Sequence, residues 1–181
     1  MTEIAEKTAA RVFFALWPDE TERSVLAAWQ GPLQQLCGGR PASVQSLHNT
    51  LVFLGNVALE RLEALQLAAQ EVNGVNFKIA FDMARYWGHN RIVYAAPGVV
   101  PSPLTQLVKE LGQKLLHHHF TFERRSYKPH ITLLRHAQWT DAPLPVMLPV
   151  VWAARDFVLV QSVSEGQGMR YEILARFPLA E

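Results

Sequence analysis

The chain has 181 residues, 49% of them hydrophobic and 18% charged, which supports a buried core in one compact unit and excludes a disordered polymer. Lys and Arg number 17 against 16 Asp and Glu, a net charge of +1, which excludes the broad basic surface of a protein that coats nucleic acid. Any contact with nucleic acid is therefore expected to involve a small part of the polymer. One cysteine excludes an internal disulfide and a four-cysteine zinc site.

The N-terminus carries Glu3 and Glu6 before a short apolar run, which is not the form of a signal peptide. Val12 to Trp17, closed by Pro18, reads as a buried strand. Asp19 opens a helix to about Cys37, with Val25, Leu26, Trp29 and Leu33 on one face and a bend expected at Pro32. Cys37, beside the Gly38-Gly39 loop, reads as a buried structural thiol. Leu47 to Leu54 reads as a strand closed by Gly55-Asn56, and Leu59 to Val72 as a helix. Phe77, Ile79 and Phe81 alternate as a strand, and Arg91 to Ala95 forms another.

The second half repeats this grammar. A helix runs through about His117, with Ser102 expected as its N-cap and Pro103 as its first residue. Pro129 to His136 reads as a strand, and residues 141–149, with three prolines, as an extended connector. Phe157 to Val163 and Met169 to Phe177 read as a hairpin joined through Gly166-Gln167-Gly168. Interleaved strands and helices with hairpin signals indicate an α+β fold with antiparallel pairing. No stretch is long enough to span a membrane, and a cytoplasmic protein is expected.

Two short segments carry the chemistry. Leu47-His48-Asn49-Thr50-Leu51 and Pro129-His130-Ile131-Thr132-Leu133 share His-x-Thr-Leu, with their histidines 82 residues apart. With 7 His in the chain, this pattern is expected by chance about 0.04 times, so two copies in matched contexts point to an internal duplication. Residues two apart on a strand share a face, so His48 pairs with Thr50 and His130 with Thr132. Two such strands about a pseudo-twofold axis bring two imidazoles and two hydroxyls to one cleft. Imidazoles titrating near ~6.5 can serve as a general base and a general acid, and the hydroxyls can bind phosphoryl oxygens. This chemistry calls for no metal or other cofactor.

These motifs resemble the signature of the 2H phosphoesterases, and the layout resembles their bacterial RNA 2′,3′-cyclic phosphodiesterase branch, also called RNA 2′,5′-ligases. The matching stretches are Arg11 to Leu16, Leu47 to Gly55 and Pro129 to Arg135. The resemblance implies a single domain over 1–181, a bilobal pseudo-twofold duplication with antiparallel sheets flanked by helices around a central cleft. It implies hydrolysis of a terminal 2′,3′-cyclic phosphate to a 2′-phosphate, with reversible 2′-5′ RNA ligation in the same site. Its partners would be RNA ends or small nucleotides carrying that group, with no obligate protein partner. Carried over by position, His130 is the proton acceptor, His48 the proton donor, and Thr50 and Thr132 hold phosphoryl oxygens. Arg135 matches an arginine that contacts phosphate or base, but reaches the cleft only if its strand ends or bulges. Asn49 stands where the family usually has an apolar residue, and alternation turns it away from the cleft beside Leu51 and Phe53. The reading from another class is a noncatalytic module that binds RNA ends or 2′-phosphates.

Other features are weaker. His117-His118-His119 reads as a solvated helix end, because three consecutive residues cannot present three ligands on one face. Arg124, Arg125, Lys128 and Arg135 against Glu123 could form a basic rim. Tyr127, Trp87 and Trp139 could stack on a base, and at most one of Phe13 and Phe14 can border the cleft.

Overall fold

The computed structural model describes residues 7–181, so Glu3 and Glu6 lie outside the described residues. In chain order the elements are β1 (Ala9–Leu16), α1 (Glu20–Cys37), β2 (Arg40–Pro41), β3 (Asn49–Ala58), α2 (Leu62–Gln70), β4 (Phe77–Trp87), β5 (Ile92–Pro97) and α3 (Ser102–His117). They continue as β6 (Ile131–Arg135), β7 (Val150–Ala154), β8 (Asp156–Glu165) and β9 (Gly168–Pro178). The strands form two antiparallel sheets, ordered β3-β1-β8-β9 and β2-β6-β5-β4-β7. This is the expected α+β arrangement.

The lobes are not the two halves of the sequence. The C-terminal hairpin β8–β9 completes the sheet that holds β1 and β3. The helices are exchanged as well: α1, which follows β1, packs on β6 and β7 of the other sheet, and α3, which follows β5, packs on β3. Leu26, Trp29 and Leu33 of α1 and Leu104, Leu107, Leu111 and Leu115 of α3 therefore join one core that runs behind both sheets. The opposite sheet faces carry two small clusters, Phe13-Ala15-Val158-Val160 and Ile92-Tyr94-Ala96.

Local signals explain most boundaries. Asp19 caps α1 in a reciprocal box: its carboxylate accepts from the Glu22 N–H at 2.8 Å, and the Glu22 carboxylate accepts from the Asp19 N–H at 2.7 Å. Pro32 lies inside α1 without ending it. The cap of α3 is Pro101 rather than Ser102, because the Pro101 carbonyl already accepts from Leu104 and Thr105. Strand β3 does not close at Gly55; that glycine takes φ 76° at a register shift opposite Val12, and the strand bends and continues to Ala58. Strand β7 follows the proline-rich connector and has no sequence signal of its own: the exposed Val151 hides its alternation.

Both motif strands are bulged at the same place. Phe14 and Ala15 face Val52 and Thr50, which leaves Leu51 as the extra residue in β3. Val93 and Tyr94 face Leu134 and Thr132, which leaves Leu133 as the extra residue in β6. Consecutive side chains, Leu51-Val52 and Leu133-Leu134, are consequently all buried in the core. A bulge leaves its carbonyl out of the ladder, and the Leu133 carbonyl is satisfied from elsewhere. The buried Gln30 amide of α1 donates to it at 3.0 Å, and the Ala42 N–H donates at 2.9 Å.

Gly39 closes the turn beside this bulge. It takes φ 84°, and a Cβ there would stand 2.6 Å from the Arg135 carbonyl oxygen, which belongs to the backbone and cannot swing away. Gly39→Ala is expected to lose about 1–3 kcal/mol of unfolding free energy in urea titration. Gly31→Ala, at an open helical position, provides the control and should not destabilise.

Candidate active site

His48 and His130 each stand one residue ahead of their motif strands rather than inside them. The two rings are held in the same way. His48 Nδ1–H donates to the Ser46 carbonyl at 2.6 Å, and His130 Nδ1–H donates to the Lys128 carbonyl at 2.8 Å. A carbonyl only accepts, so each neutral ring carries its hydrogen on Nδ1 and its lone pair on Nε2. The Thr50 hydroxyl donates to His48 Nε2 at 2.9 Å. Among the described residues no such bond joins His130 and Thr132, so the two motifs differ at this atom.

Aromatic side chains wall both rings. Trp17 stacks on His48 with centroids 5.3 Å apart, Phe13 lies at 4.9 Å, and Tyr171 meets the ring edge-on at 5.4 Å. Trp87 meets His130 edge-on at 4.5 Å, with Tyr94 at 5.8 Å. Of the two adjacent phenylalanines, Phe13 borders the site and Phe14 lies in the core. The turn that carries Ser46 is pinned by Arg23 of α1, which is buried and donates to the carbonyls of Val44 at 2.7 Å and Pro18 at 3.2 Å. No sequence pattern singles out Arg23; its role depends on a helix reaching under a turn 21 residues later.

Electrostatics keep both rings neutral. Burial pushes His48 down to about 4, further lowered by positive charge on His130, Arg135 and Arg23, against a raising effect of the Ser46 carbonyl. Burial also lowers His130, opposed by the Lys128 carbonyl. The cationic form of His48 thus feels both the second motif and Arg135.

The Leu133 bulge settles where Arg135 points. Strict alternation would place Arg135 opposite Thr132; one extra residue returns it to the Thr132 side, exposed, while Leu133 and Leu134 are both buried. The equivalent bulge at Leu51 turns Phe53 outward as well, so Phe53 does not share the Asn49 face as alternation suggested. Arg11 lies over the exposed Phe53 ring at 5.0 Å.

Asn49 is fully buried and makes more than packing contacts. Its Nδ2 donates to the Tyr127 hydroxyl at 3.0 Å, and its Oδ1 accepts from the His130 backbone N–H at 3.2 Å and from the Tyr127 hydroxyl at 3.3 Å. The Tyr127 ring packs against the core, and burial keeps its phenol protonated. Trp139 stacks on Tyr86 instead, which leaves Trp87 as the aromatic of that trio beside a motif histidine. Arg125 is ion-paired with Glu123. His118 meets Glu71 at 2.8 Å at the end of α3, where Arg61 donates to the carbonyls of His118 and His119. No group of three or more His, Cys, Asp or Glu among the described residues could hold a metal ion. Cys37 is buried, and burial raises its thiol. No helix among the described residues is long and apolar enough to cross a membrane.

The arrangement has known counterparts. The RNA 2′,3′-cyclic phosphodiesterase of Escherichia coli is 30% identical over 171 residues, spanning 94% of this chain and 97% of its own. The protein of the same name from Thermus thermophilus is 27% identical over 180 residues, spanning 93% and 90%. The crystal structure of E. coli LigT complexed with 3′-AMP superposes with a TM-score of 0.85 at 30% identity, covering 96% of this chain and 99% of that one. A family model described as the 2′-5′ RNA ligase superfamily matches residues 17–162. The chain belongs to this superfamily, that of the 2H phosphoesterases.

Proposed function

We infer that the chain is an RNA 2′,3′-cyclic phosphodiesterase, a hydrolase that opens a terminal 2′,3′-cyclic phosphate to a 2′-phosphate. The observation that carries this reading is the pair of imidazoles, each fixed through Nδ1 by a carbonyl two residues back, which leaves Nε2 as the nitrogen that moves a proton. The near-full-length relatives of that name support it. A module that only binds RNA ends has no use for two such rings.

In the reaction, His130 Nε2 accepts a proton from water, whose oxygen attacks phosphorus. The bond from phosphorus to O3′ breaks, and His48 Nε2 delivers a proton to O3′. Thr50, Thr132 and Arg135 hold the nonbridging oxygens as charge builds on them. This assignment follows the family resemblance, and the absence of a threonine bond leaves His130 Nε2 open to water. The free site disfavours a proton on His48, so the bound phosphodiester anion must supply the countercharge that loads it. Replacing water by an RNA 5′-hydroxyl gives 2′-5′ ligation through the same bond changes. The substrates are RNA ends or small nucleotides bearing the cyclic phosphate, on which the protein acts in the cytoplasm without an obligate protein partner.

Purified protein should convert a 2′,3′-cyclic mononucleotide to its 2′-phosphate with EDTA present; loss of turnover on chelation, or a 3′-phosphate product, would contradict the reading. His48→Ala and His130→Ala should each lower kcat by about 100- to 10,000-fold. A cyclic substrate with sulfur in place of O3′ loses a thiolate that needs no proton. It should restore His48→Ala and not His130→Ala; the opposite pattern would exchange the two roles. Arg135→Ala should raise KM about tenfold while leaving the fold intact.

The pH dependence follows from the sign of both shifts. Lowered imidazoles are neutral above their ordinary value near ~6.5, and the form with one proton on the pair lies below it. The bell of kcat/KM for the free enzyme should therefore peak on the acid side of ~6.5. Phosphodiester binding favours the cation, so the kcat profile should lie at higher pH.

A further inference from the structure

We propose that Asn49 is a positioning residue whose side-chain amide holds the His130 backbone against the first motif and so sets the spacing of the two imidazoles across the two sheets. The inference rests on the two-histidine reading above.

The two motif strands lie in different sheets, and no backbone ladder joins β3 to β6. Each histidine is fixed to its own segment through a carbonyl two residues back, which orients the ring but does not locate one ring relative to the other. Asn49 supplies that link. It follows His48 directly and opens β3, and its Oδ1 accepts the His130 N–H at 3.2 Å, across 81 residues of sequence. The register between β6 and β5 begins at Ile131, one residue later, so the His130 N–H finds its acceptor in this side chain.

The Tyr127 phenol holds the amide in turn. Nδ2 donates to it at 3.0 Å, and the hydroxyl returns a bond to Oδ1 at 3.3 Å, while the His130 N–H, which only donates, sets the flip with Oδ1 toward it. Asn49 is 0% exposed. Burying an amide costs free energy unless each polar atom is paired, and a leucine would fill such a space without that cost. Packing alone therefore gives no reason for an amide here, whereas a link between the motifs does. A general acid and a general base acting on opposite sides of one phosphorus depend on their mutual distance, and a displacement of about 1 Å can cost about 100-fold in rate.

The test uses the full chain and a 2′,3′-cyclic mononucleotide, with Asn49→Leu and Tyr127→Phe compared to wild type. Asn49→Leu should lower kcat about 30- to 100-fold per folded molecule with KM within about threefold, because phosphate binding survives while alignment is lost. The His130 backbone amide resonance should move upfield as its acceptor disappears. Tyr127→Phe retains the His130 bond but removes the partner of Nδ2 and loosens the amide, and should lower kcat about three- to tenfold. Asn49→Leu with wild-type kcat, or with an unmoved His130 amide, overturns the proposal. If Asn49→Leu does not fold, unchanged kcat in Tyr127→Phe overturns it. An inactive wild type would instead overturn the phosphodiesterase reading, so the two failures are told apart.

Discussion

The site depends on one interaction made twice: an imidazole Nδ1–H donating to a carbonyl two residues back. It selects the tautomer, and it aims the Nε2 lone pair away from the carbonyl that holds the ring. The carbonyl also favours the cation, which partly offsets burial among aromatic rings. Without it each half-buried imidazole would lack the bond that fixes its tautomer. The surrounding parts serve this bond. Arg23 fixes the turn that presents the Ser46 carbonyl, and Trp17 stacks on the ring that results.

The second constraint is the bulge after each motif threonine. It lets two successive apolar residues enter the core and returns the next residue to the threonine side. In the second motif that residue is Arg135, and in the first it is Phe53. The same backbone irregularity thus presents a cation on one strand and an aromatic ring on the other. Pseudo-symmetry in the backbone coexists with chemical asymmetry in the groups displayed. The same holds at Nε2, where Thr50 engages His48 but Thr132 does not engage His130.

Much of this is legible in the sequence, and the misses have physical reasons. The motif strands, the three main helices and the C-terminal hairpin follow from periodicity and turn residues. The paired His-x-Thr-Leu segments single out the candidate site because their copies are improbable by chance. Alternation mispredicts the faces of Arg135 and Phe53 because a bulge depends on the partner strand and leaves no local mark. Asn49 reads as a packing variant because its partners, Tyr127 and the His130 N–H, lie 78 and 81 residues away. Which segments share a lobe is hidden for the same kind of reason: repeated motifs reveal a duplication, but not which sheet a later hairpin joins. Strand β7 is hidden by an apolar residue on its exposed side.

The placement of the C-terminal hairpin also governs how the chain can assemble. Strand β1 has β3 on one side, available early, and β8 on the other, with Arg11 opposite Ser162. During synthesis the β8-facing edge of β1 must wait until Asp156–Glu165 has emerged. Such long-range closure slows folding, and an unpaired apolar edge is the element most prone to join the wrong partner. Nascent or truncated chains that end before Asp156 would expose Phe13, Phe14 and Ala15 along that edge, so aggregation of incomplete chains is built into this topology.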